Sequence, residues 1–398
     1  MYVTHITFVA NPFYFGLWDS KLVINMQEKE FELKRQGKIP RLTNRTFKFD
    51  PRIKNGWFSA VYFLKTTEII KQKCPKQRVT MQFFQKKEAI LCGVDEAIAL
   101  LHTFSANPHE LKIWALHDGD KISPFETVLM IEGYYEDFGY LEGLIDGVLA
   151  RRTSVATNVY DVVQAAGEKQ VIFMGDRDDH FSQQAGDGYA AYIGGAAAQA
   201  THAMNEWWGK QGVGTMPHAL IQLFKGDLIQ ACEAYLEAYP GDNLIALVDY
   251  NNDVITESLK VAHHFGDKLY GVRVDTAANM VDQYFLRNQH EFGQDDLRGT
   301  NARLIQRLRE YLDAAGFPKV KIIVSGGFDA NKIRHFEQQN TPVDSYGIGS
   351  SLLKVNIGFT GDCVRLNGVE QAKQGRHYSF NPRLSEVDFE QILLSEGI

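Results

Sequence analysis

Residues 320–351 alternate between strand and helix patterns in the sequence VKIIVSGGFDANKIRHFEQQNTPVDSYGIGSS. Two short apolar runs each lead into a glycine-rich turn, first SGG and then GIGSS, with a helical stretch between them. Strands that are apolar on both faces are typical of parallel sheets covered by helices. The segment therefore predicts a strand, a turn, a helix and a second strand of a parallel α/β fold.

Four more apolar runs of this kind precede that segment, and helical stretches separate them. They are VIFM (171–174), VGTM (213–216), LIALVD (244–249) and KLYGVRVD (268–275). Six such strands within about 180 residues predict an irregular parallel α/β barrel, complete or incomplete.

The two ends of the chain have a different pattern. Residues 57–102 predict a helix, a strand–turn–strand segment (79–93) and a second helix, and residues 112–133 alternate between apolar and polar positions around turn signals. The tail, 357–398, returns to strands and turns, so we expect it to pair with the earlier strands in a β-rich α+β domain. The predicted domains are an unassigned extension (1–56), this β-rich domain (57–150 plus 357–398) and the barrel (151–356). Within the extension, 4–10 predicts a short strand and 27–36 an exposed helix.

Composition excludes several classes of function. The 398 residues include 42 Lys and Arg against 49 Asp and Glu, a net charge of −7, which lacks the basic excess of a nucleic-acid-binding protein. No apolar run approaches the roughly 20 residues of a membrane helix. The four cysteines are far apart in sequence and the N-terminus has no signal-peptide pattern, so we expect a cytoplasmic protein.

Polar and glycine residues follow every predicted strand of the barrel at the same end. They are Arg177, His218, Asp249, Arg273, Asp275, Ser325, Gly326, Gly327, Gly347 and Gly349. Catalytic residues of parallel barrels gather at this end, and glycine turns let backbone N–H groups approach a phosphate. Arginine suits phosphate oxygens, and aspartate suits ribose hydroxyls or magnesium. The set predicts a site for a phosphorylated sugar.

Simpler interpretations exist for single motifs. An isolated SGG is usually only a turn, and GIGSS does not match the GxGxxG dinucleotide pattern. The run GDRDDH (175–180) is either a solvated loop or, through its carboxylates and His180, a metal site.

Several motifs, in this order, resemble those of the nicotinate phosphoribosyltransferase family. The most specific is GTMPHAL (214–220), which resembles the histidine motif of that family. The others are SAVYFLKTTEII (59–70), ALHDGDKISPFETVLMIEGYYEDF (115–138), AYIGGA (191–196), LVDYNND (247–253), VRVDT (272–276), VSGGFD (324–329), YGIGSSL (346–352) and a C-terminal stretch, GDCVRLNGVEQAKQGR (361–376) with NPRL (381–384).

The resemblance implies a fold and an activity. The fold would be an irregular α/β barrel with a β-rich domain, assembled as a homodimer with active sites shared between subunits. The reaction would transfer phosphoribosyl from 5-phosphoribosyl-1-pyrophosphate (PRPP) to the ring nitrogen of nicotinate, with magnesium. The products would be nicotinate mononucleotide and pyrophosphate, and ATP hydrolysis would be coupled through a phosphorylated histidine.

The resemblance also implies roles for individual residues. Arg177 would bind pyrophosphate or the phosphate of the phosphoribosyl group, and His218 would accept the phosphoryl group of ATP. Tyr62 would stack on the pyridine ring in a neighbouring subunit's site. The ribose, the pyrophosphate and the reacting centre would be held by Asp249, Arg273 and Asp275. The 5′-phosphate would lie in the turns formed by Ser325, Gly326, Gly327, Gly347 and Gly349.

Two departures from the family keep other functions open. Met174 stands where the family has a phenylalanine that stacks on the pyridine ring, although methionine also makes soft contacts with ring faces. Carboxylates at 176, 178 and 179 surround Arg177, which is unfavourable for an anionic base. Nicotinamide is therefore an alternative base, quinolinate a less favoured one, and a non-catalytic nucleotide-binding barrel a third possibility.

Overall fold

The structure is a computed structural model that describes residues 30–291 and 296–388. The strand predicted at 4–10 lies outside these residues. Of the helix predicted at 27–36, residues 30–35 are helical and the first three lie outside the described part.

Strands form two large sheets and one small one. The strands are β1 (Arg78–Phe84), β2 (Ala89–Ile90), β3 (Lys112–Ala115), β4 (Lys121–Ile122), β5 (Leu129–Tyr134), β6 (Gln170–Phe173), β7 (Ala198–Gln199), β8 (Leu244–Leu247), β9 (Leu269–Val274), β10 (Lys321–Val324), β11 (Ser345–Ile348), β12 (Thr360–Leu366), β13 (Val369–Glu370) and β14 (Ser385–Glu386). Sheet order is β13-β12-β1-β5-β3-β14 in one large sheet, β7-β6-β11-β10-β9-β8 in the other, and β2-β4 in the small one.

Helices connect these strands. The α-helices are α1 (Val61–Lys73), α2 (Val94–Phe104), α3 (Tyr135–Phe138), α4 (Glu142–Ala166), α5 (Gln184–Ile193), α6 (His218–Leu223), α7 (Leu228–Ala238), α8 (Val254–Phe265), α9 (Gln283–Arg287), α10 (Ala302–Ala314) and α11 (Ala330–Gln338). Short 3₁₀ helices lie at Pro51–Asn55, Pro108–Glu110, Gly139–Leu141, Phe181–Gln183, Ala203–Trp208, Gly266–Lys268, Gln289–Glu291 and Ser350–Leu353.

The second large sheet is parallel throughout and forms a curled half-barrel. All its neighbouring strands pair in parallel, for example β10 with β9 on one side and β11 on the other. Its central strands are apolar on both faces because helices cover the sheet. The predicted α/β class and irregular barrel are confirmed.

One predicted strand of the barrel is wrong. Residues 213–216 have no strand structure, and the position beside β6 is taken by the two-residue strand β7. A single bond from Val213 N to Gln199 O, 2.9 Å long, is the contact of this segment with β7. Val213 is 40% exposed and faces a cavity, whereas Met216 at the other end of the run is buried in the core.

The first large sheet joins both ends of the chain, as the pattern predicted. β1 pairs antiparallel with β5 and with the C-terminal β12, and β3 pairs with β14. The second, β-rich unit built from N- and C-terminal segments is therefore confirmed.

Helix α4 packs into the cores of both units. Near its start, Ile145 and Leu149 belong to the core of the antiparallel unit. Further along, Val155 and Val159 belong to the core of the parallel sheet. A rigid helix shared by two cores fixes the angle between the sheets, and it crosses the predicted boundary at 150/151. The domain limits remain a prediction.

Part of the N-terminal extension is held in place by buried ion pairs. Lys34 and Arg41 both pair with Asp95, whose side chain is fully buried in α2. Burial alone would raise the pKa of Asp95, but the two cations outweigh it and lower that pKa. Arg41 also donates to the backbone oxygens of Ala115 and Leu116. This arrangement ties residues 30–41 to the rest of the fold.

Candidate active site

A cavity of about 360 Å³ opens at the carboxyl ends of the parallel strands. The predicted site residues that line it are Met174, Arg177, Arg273, Asp275, Ser325, Gly326, Gly327, Gly347 and Gly349. Three of the predicted residues, Tyr62, His218 and Asp249, do not line it. Residues from β6, β9, β10 and β11 are thus brought together although up to 175 positions separate them (349 − 174).

The first glycine turn follows β10 and has a backbone that other residues rarely adopt. Gly326 and Gly327 have φ angles of +90° and +66°, a left-handed region that strongly favours glycine. A Cβ on Gly327 would have no atom of the protein within 4 Å, so its position faces open cavity. Lys332, on the following helix α11, donates to Gly326 O at 3.2 Å. Burial lowers the pKa of Lys332.

The second glycine turn follows β11 and packs against the loop after β6. A Cβ on Gly347 would lie 2.6 Å from Met174 Sδ, and one on Gly349 would overlap the Asp178 carboxylate. A side chain at Gly347 would displace the end of Met174, and one at Gly349 would also crowd the backbone oxygen of Met174. Met174 N donates to Ile348 O at 2.7 Å, which joins the two strand ends.

Arg273 and Asp275 form the charged floor of the cavity. Both lie on the same side of the chain at the end of β9, and Arg273 Nη2 is 3.5 Å from Asp275 Oδ2. Ser325 Oγ donates to Asp275 Oδ1 at 2.8 Å, so both oxygens of this carboxylate are oriented. Arg273 Nη1 donates to Thr215 Oγ1 at 3.3 Å, whereas Arg273 Nε is buried without a hydrogen-bond partner among the described residues. That orphaned donor is suited to a ligand oxygen.

Arg177 lies at the mouth of the cavity in an exposed loop. The loop closes on itself through Asp178 N and Gly175 O, 3.2 Å apart. His180, which the sequence offers as a metal ligand, contacts Ser182 Oγ at 2.8 Å. Among the described residues there is no group of three His, Cys, Asp or Glu side chains able to hold a metal ion.

His218 and Asp249 contact each other beside the cavity. His218 Nε2 is 3.1 Å from Asp249 Oδ1, and the imidazole is 45% exposed while the carboxylate is 5% exposed. Burial raises the pKa of Asp249 and the His218 contact opposes that shift. Because Nε2 faces the carboxylate, Nδ1 is the ring nitrogen left for a reactant.

Tyr62 is placed away from this cavity within its own chain. It lies on α1 in the antiparallel unit, is 64% exposed and contacts the ring of Phe63 at 4.3 Å. Its neighbours Trp57, Phe58 and Val61 are also exposed, by 71%, 49% and 61%. An exposed cluster of large apolar side chains is typical of an interaction surface.

Sequence reasoning missed other lining residues. Ala200 and Thr201 follow β7, a strand of two residues that no pattern in the sequence reveals. Val213 and Gly214 line the cavity from the segment mistaken for a strand. Phe328 follows the SGG turn, and its apolar character favoured a core position over a site.

The geometry agrees with comparisons to known proteins. Residues 61–153 match the family model described as quinolinate phosphoribosyl transferase, N-terminal domain. Nicotinate phosphoribosyltransferase pncB1 of Mycobacterium tuberculosis is 30% identical over 244 residues, which are 59% of this chain and 48% of that protein. The nicotinate phosphoribosyltransferase of Bacillus subtilis is 22% identical over 300 residues, 68% of this chain and 56% of that protein. The chain therefore spans about half the length of the curated relatives it matches.

Solved structures share the fold over most of the chain. A crystal structure of nicotinate-nucleotide pyrophosphorylase from Pyrococcus furiosus superposes with a TM-score of 0.72 and 29% identity, covering 86% of this chain and 85% of that one. Human nicotinic acid phosphoribosyltransferase gives a TM-score of 0.62 at 17% identity, covering 81% and 77%.

In fold the chain resembles a phosphoribosyltransferase-type barrel, and two glycine turns line its cavity at the strand ends. The chain is similar to nicotinate phosphoribosyltransferases over about 60% of its length, and its residues 61–153 match a domain of the quinolinate enzymes. In the described residues no helix is long and apolar enough to span a membrane.

Proposed function

We propose that the protein transfers phosphoribosyl from PRPP to the ring nitrogen of nicotinate, giving nicotinate mononucleotide and pyrophosphate for NAD salvage. The observation that supports this most is the cavity that combines two glycine turns with Arg273 and Asp275. PRPP contains a phosphate, a ribose and a pyrophosphate. The glycine turns suit the phosphate, Asp275 suits the ribose and Arg273 suits the pyrophosphate.

The chemistry requires charge stabilisation rather than a nucleophilic side chain. As the bond from the anomeric carbon to pyrophosphate breaks, positive charge develops on the ribose. A fixed carboxylate such as Asp275 stabilises that charge, while Arg177 and Arg273 stabilise the leaving group. The pyridine nitrogen attacks with its own lone pair, so no general base is needed. Gly326, Gly327 and the turn of Gly347 and Gly349 would hold the 5′-phosphate.

Magnesium fits this set of donors. Magnesium is usually held by one or two carboxylates together with substrate phosphates, not by a cage of protein ligands. Asp275 and Asp249, whose carboxylates are close enough to interact electrostatically, are the carboxylates suited to it. When bound with PRPP, the ion would neutralise charge on pyrophosphate.

ATP coupling through His218 is part of the proposal. Asp249 orients the imidazole through Nε2, which leaves the lone pair on Nδ1 for the γ-phosphorus of ATP. The new N–P bond forms as the bond to ADP breaks. Energy stored in phosphohistidine would then favour mononucleotide synthesis.

A homodimer with shared sites completes the proposed enzyme, which we place in the cytoplasm. Tyr62 is exposed and does not line the cavity of its own chain, and in the proposed dimer it would stack on the base bound by the second subunit. The four cysteines are unpaired, in agreement with a reducing compartment.

Nicotinamide is the second candidate base, and the Asp178 carboxylate favours it. This side chain lines the cavity beside Met174 and Gly349, where it would repel the carboxylate of nicotinate and accept a hydrogen bond from an amide. Quinolinate, with two carboxylates, fits this surrounding least.

The decisive experiment supplies each base in turn. Purified protein is incubated with PRPP, magnesium and ATP plus nicotinate, nicotinamide or quinolinate, and pyrophosphate and mononucleotide are quantified by chromatography. Asp275→Asn serves as the inactive control. Product with nicotinate supports the proposal, product with nicotinamide alone replaces it, and stabilisation by PRPP without product identifies a non-catalytic binder.

A further inference from the structure

The loop that contains Arg177 is fixed at both of its ends. Before Arg177, Gln184 Nε2 donates to Asp176 O at 3.2 Å, and Gln184 in turn accepts from Thr201 Oγ1 at 2.9 Å. After Arg177, Asp179 pairs with Arg151 of α4. Arg177 and Asp178 themselves are exposed at the cavity mouth, so their positions depend on these two anchors.

Arg151 bridges two carboxylates from different elements. Its Nε and Nη2 donate to Asp187 Oδ1 and Oδ2 at 2.8 and 2.7 Å, and Nη2 also pairs with Asp179. The two-pronged contact with Asp187 fixes the plane of the guanidinium. The Arg151 contact also lowers the pKa of Asp179, which keeps that carboxylate charged.

Asp187 is itself anchored in the interior. Its side chain is 3% exposed, and Arg152 Nη1 donates to it at 3.3 Å. Arg152 is bound in turn to Glu96 of α2, with Nε 2.8 Å from Oε2. A side chain on Gly186 would overlap the Arg152 guanidinium, so glycine there leaves room for this contact. Arg151 therefore connects the exposed loop to side chains that are held in place in the interior.

We propose that Arg151 is a positioning residue that holds Arg177 over the cavity by pairing with Asp179. The anchoring of the loop does not depend on the proposed function, whereas the expected effect on PRPP kinetics rests on it. Arg151 lies outside the set of cavity-lining residues, so it acts through the loop rather than by contact with substrate. Because the proposed function assigns Arg177 to the pyrophosphate of PRPP, loss of the anchor weakens PRPP binding more than binding of the base.

The first test measures mobility of the loop, which does not require activity. Arg151→Met keeps most of the side-chain volume and removes the charge. Arg383→Met is the matched control, because Arg383 pairs with Glu126 at 2.6 Å in the antiparallel unit. Hydrogen exchange followed by mass spectrometry is expected to accelerate in residues 175–183 of the Arg151 variant and to stay at the wild-type rate in the control. Unchanged exchange of this peptide in a folded Arg151→Met protein overturns the proposal.

The second test measures kinetics. Arg151→Met is expected to raise the KM for PRPP about tenfold while kcat and the KM for the base change less than about threefold, since misplacement of one group costs affinity where that group binds. Asp179→Asn should give the same pattern, and the double variant should be no worse than Arg151→Met, because Arg151→Met already removes the Arg151–Asp179 ion pair. Additive effects, or a fall in kcat alone, contradict the proposal. A wild-type protein without transferase activity would refute the proposed function while leaving the exchange result decisive for the anchor.

Discussion

Gly327 is the residue at which ligand contact is most cleanly separated from protein packing. Its φ of +66° makes any side chain strained, yet a Cβ there would meet no protein atom within 4 Å. Gly349 is a poorer probe, because a side chain there would collide with Asp178. Among the described residues an added methyl at position 327 has no neighbour to crowd, so we expect it to act on a ligand phosphate in the first glycine turn.

We predict that Gly327→Ala raises the KM for PRPP by at least about tenfold, beyond the roughly 1–2 kcal/mol of stability lost to backbone strain. Gly316→Ala is the matched control, since Gly316 has a φ of +89° and open space around it but lies outside the cavity. Steady-state kinetics and thermal unfolding of both variants separate the two effects. If the folded Gly327→Ala and Gly316→Ala proteins have equal KM values for PRPP, the phosphate does not bind at this turn.

His218 is the second residue whose role can be tested in isolation. With γ-labelled ATP the wild-type protein is expected to acquire an acid-labile, base-stable label, and His218→Ala should abolish it. ATP-independent transfer should persist at a slow rate, because Asp275 and both glycine turns are unchanged. His264→Ala is the control, since His264 pairs with Glu233 at 2.8 Å on the exposed surface of α8. A wild-type protein that takes up no label and gains no rate from ATP would leave His218 with a binding role.

At the scale of elements, helix α4 places a carboxyl group where burial changes its charge. Glu142, its first residue, has a pKa raised to about 8, first by burial and then by Asp146 and Asp362 nearby. In the unfolded chain the pKa is near 4.5. The folded protein therefore binds an extra proton between these values, and its free energy of unfolding falls as pH rises from about 5 through 8.

We predict that Glu142→Gln raises Tm at pH 9 by about 2 °C and leaves it nearly unchanged at pH 5. Glu32→Gln is the control: Glu32 pairs with Arg35, which lowers its pKa to about 2, so its charge is constant over this range. Thermal scans at intervals from pH 5 to 9 provide the comparison. A Tm difference for Glu142→Gln that is the same at both ends of the range would contradict a raised pKa.

The elements also explain which parts of the fold were predictable. Strands β6, β8, β9, β10 and β11 are short apolar runs bounded by turns, and each was located from that local pattern. Strand β7 has two residues, which are too few to show a periodic pattern. Residues 213–216 resemble a strand in composition, but their two apolar side chains, Val213 and Met216, have different surroundings. Met216 is buried in the core whereas Val213 faces the cavity.

The site was predictable to the extent that topology alone defines it. Parallel strands have their carboxyl ends at one edge, so residues after β9, β10 and β11 had to meet. The anchors of the loop after β6 were not predictable. Arg151 and Asp187 lie on two helices, and only tertiary packing decides which faces of these helices meet. Nor does any local pattern indicate that Ser325 orients Asp275.

At the scale of the whole molecule, the predicted site residue Tyr62 does not lie in the cavity of its own chain. Tyr62 lies in the antiparallel unit within an exposed apolar cluster, and the cavity lies in the parallel unit. In a two-fold dimer the same patch on each subunit would cover the cavity of the other. Each active site would then contain Asp275 from one chain and Tyr62 from its partner.

We predict that mixing Tyr62→Ala with Asp275→Asn, each nearly inactive alone, restores activity. After random exchange of equal amounts, half of the dimers are mixed and each mixed dimer has one intact site, so recovery should approach about a quarter of the wild-type rate. Mixing Asp275→Asn with Arg273→Met is the control. Each of these changes damages the cavity of the chain that carries it, so no mixed dimer has an intact site. Exchange is verified by mass spectrometry of intact dimers carrying different tags. Recovery in the first mixture alone establishes shared sites, whereas no recovery despite confirmed exchange means that Tyr62 serves its own chain. A Tyr62→Ala protein that is fully active alone means that Tyr62 has no part in the reaction.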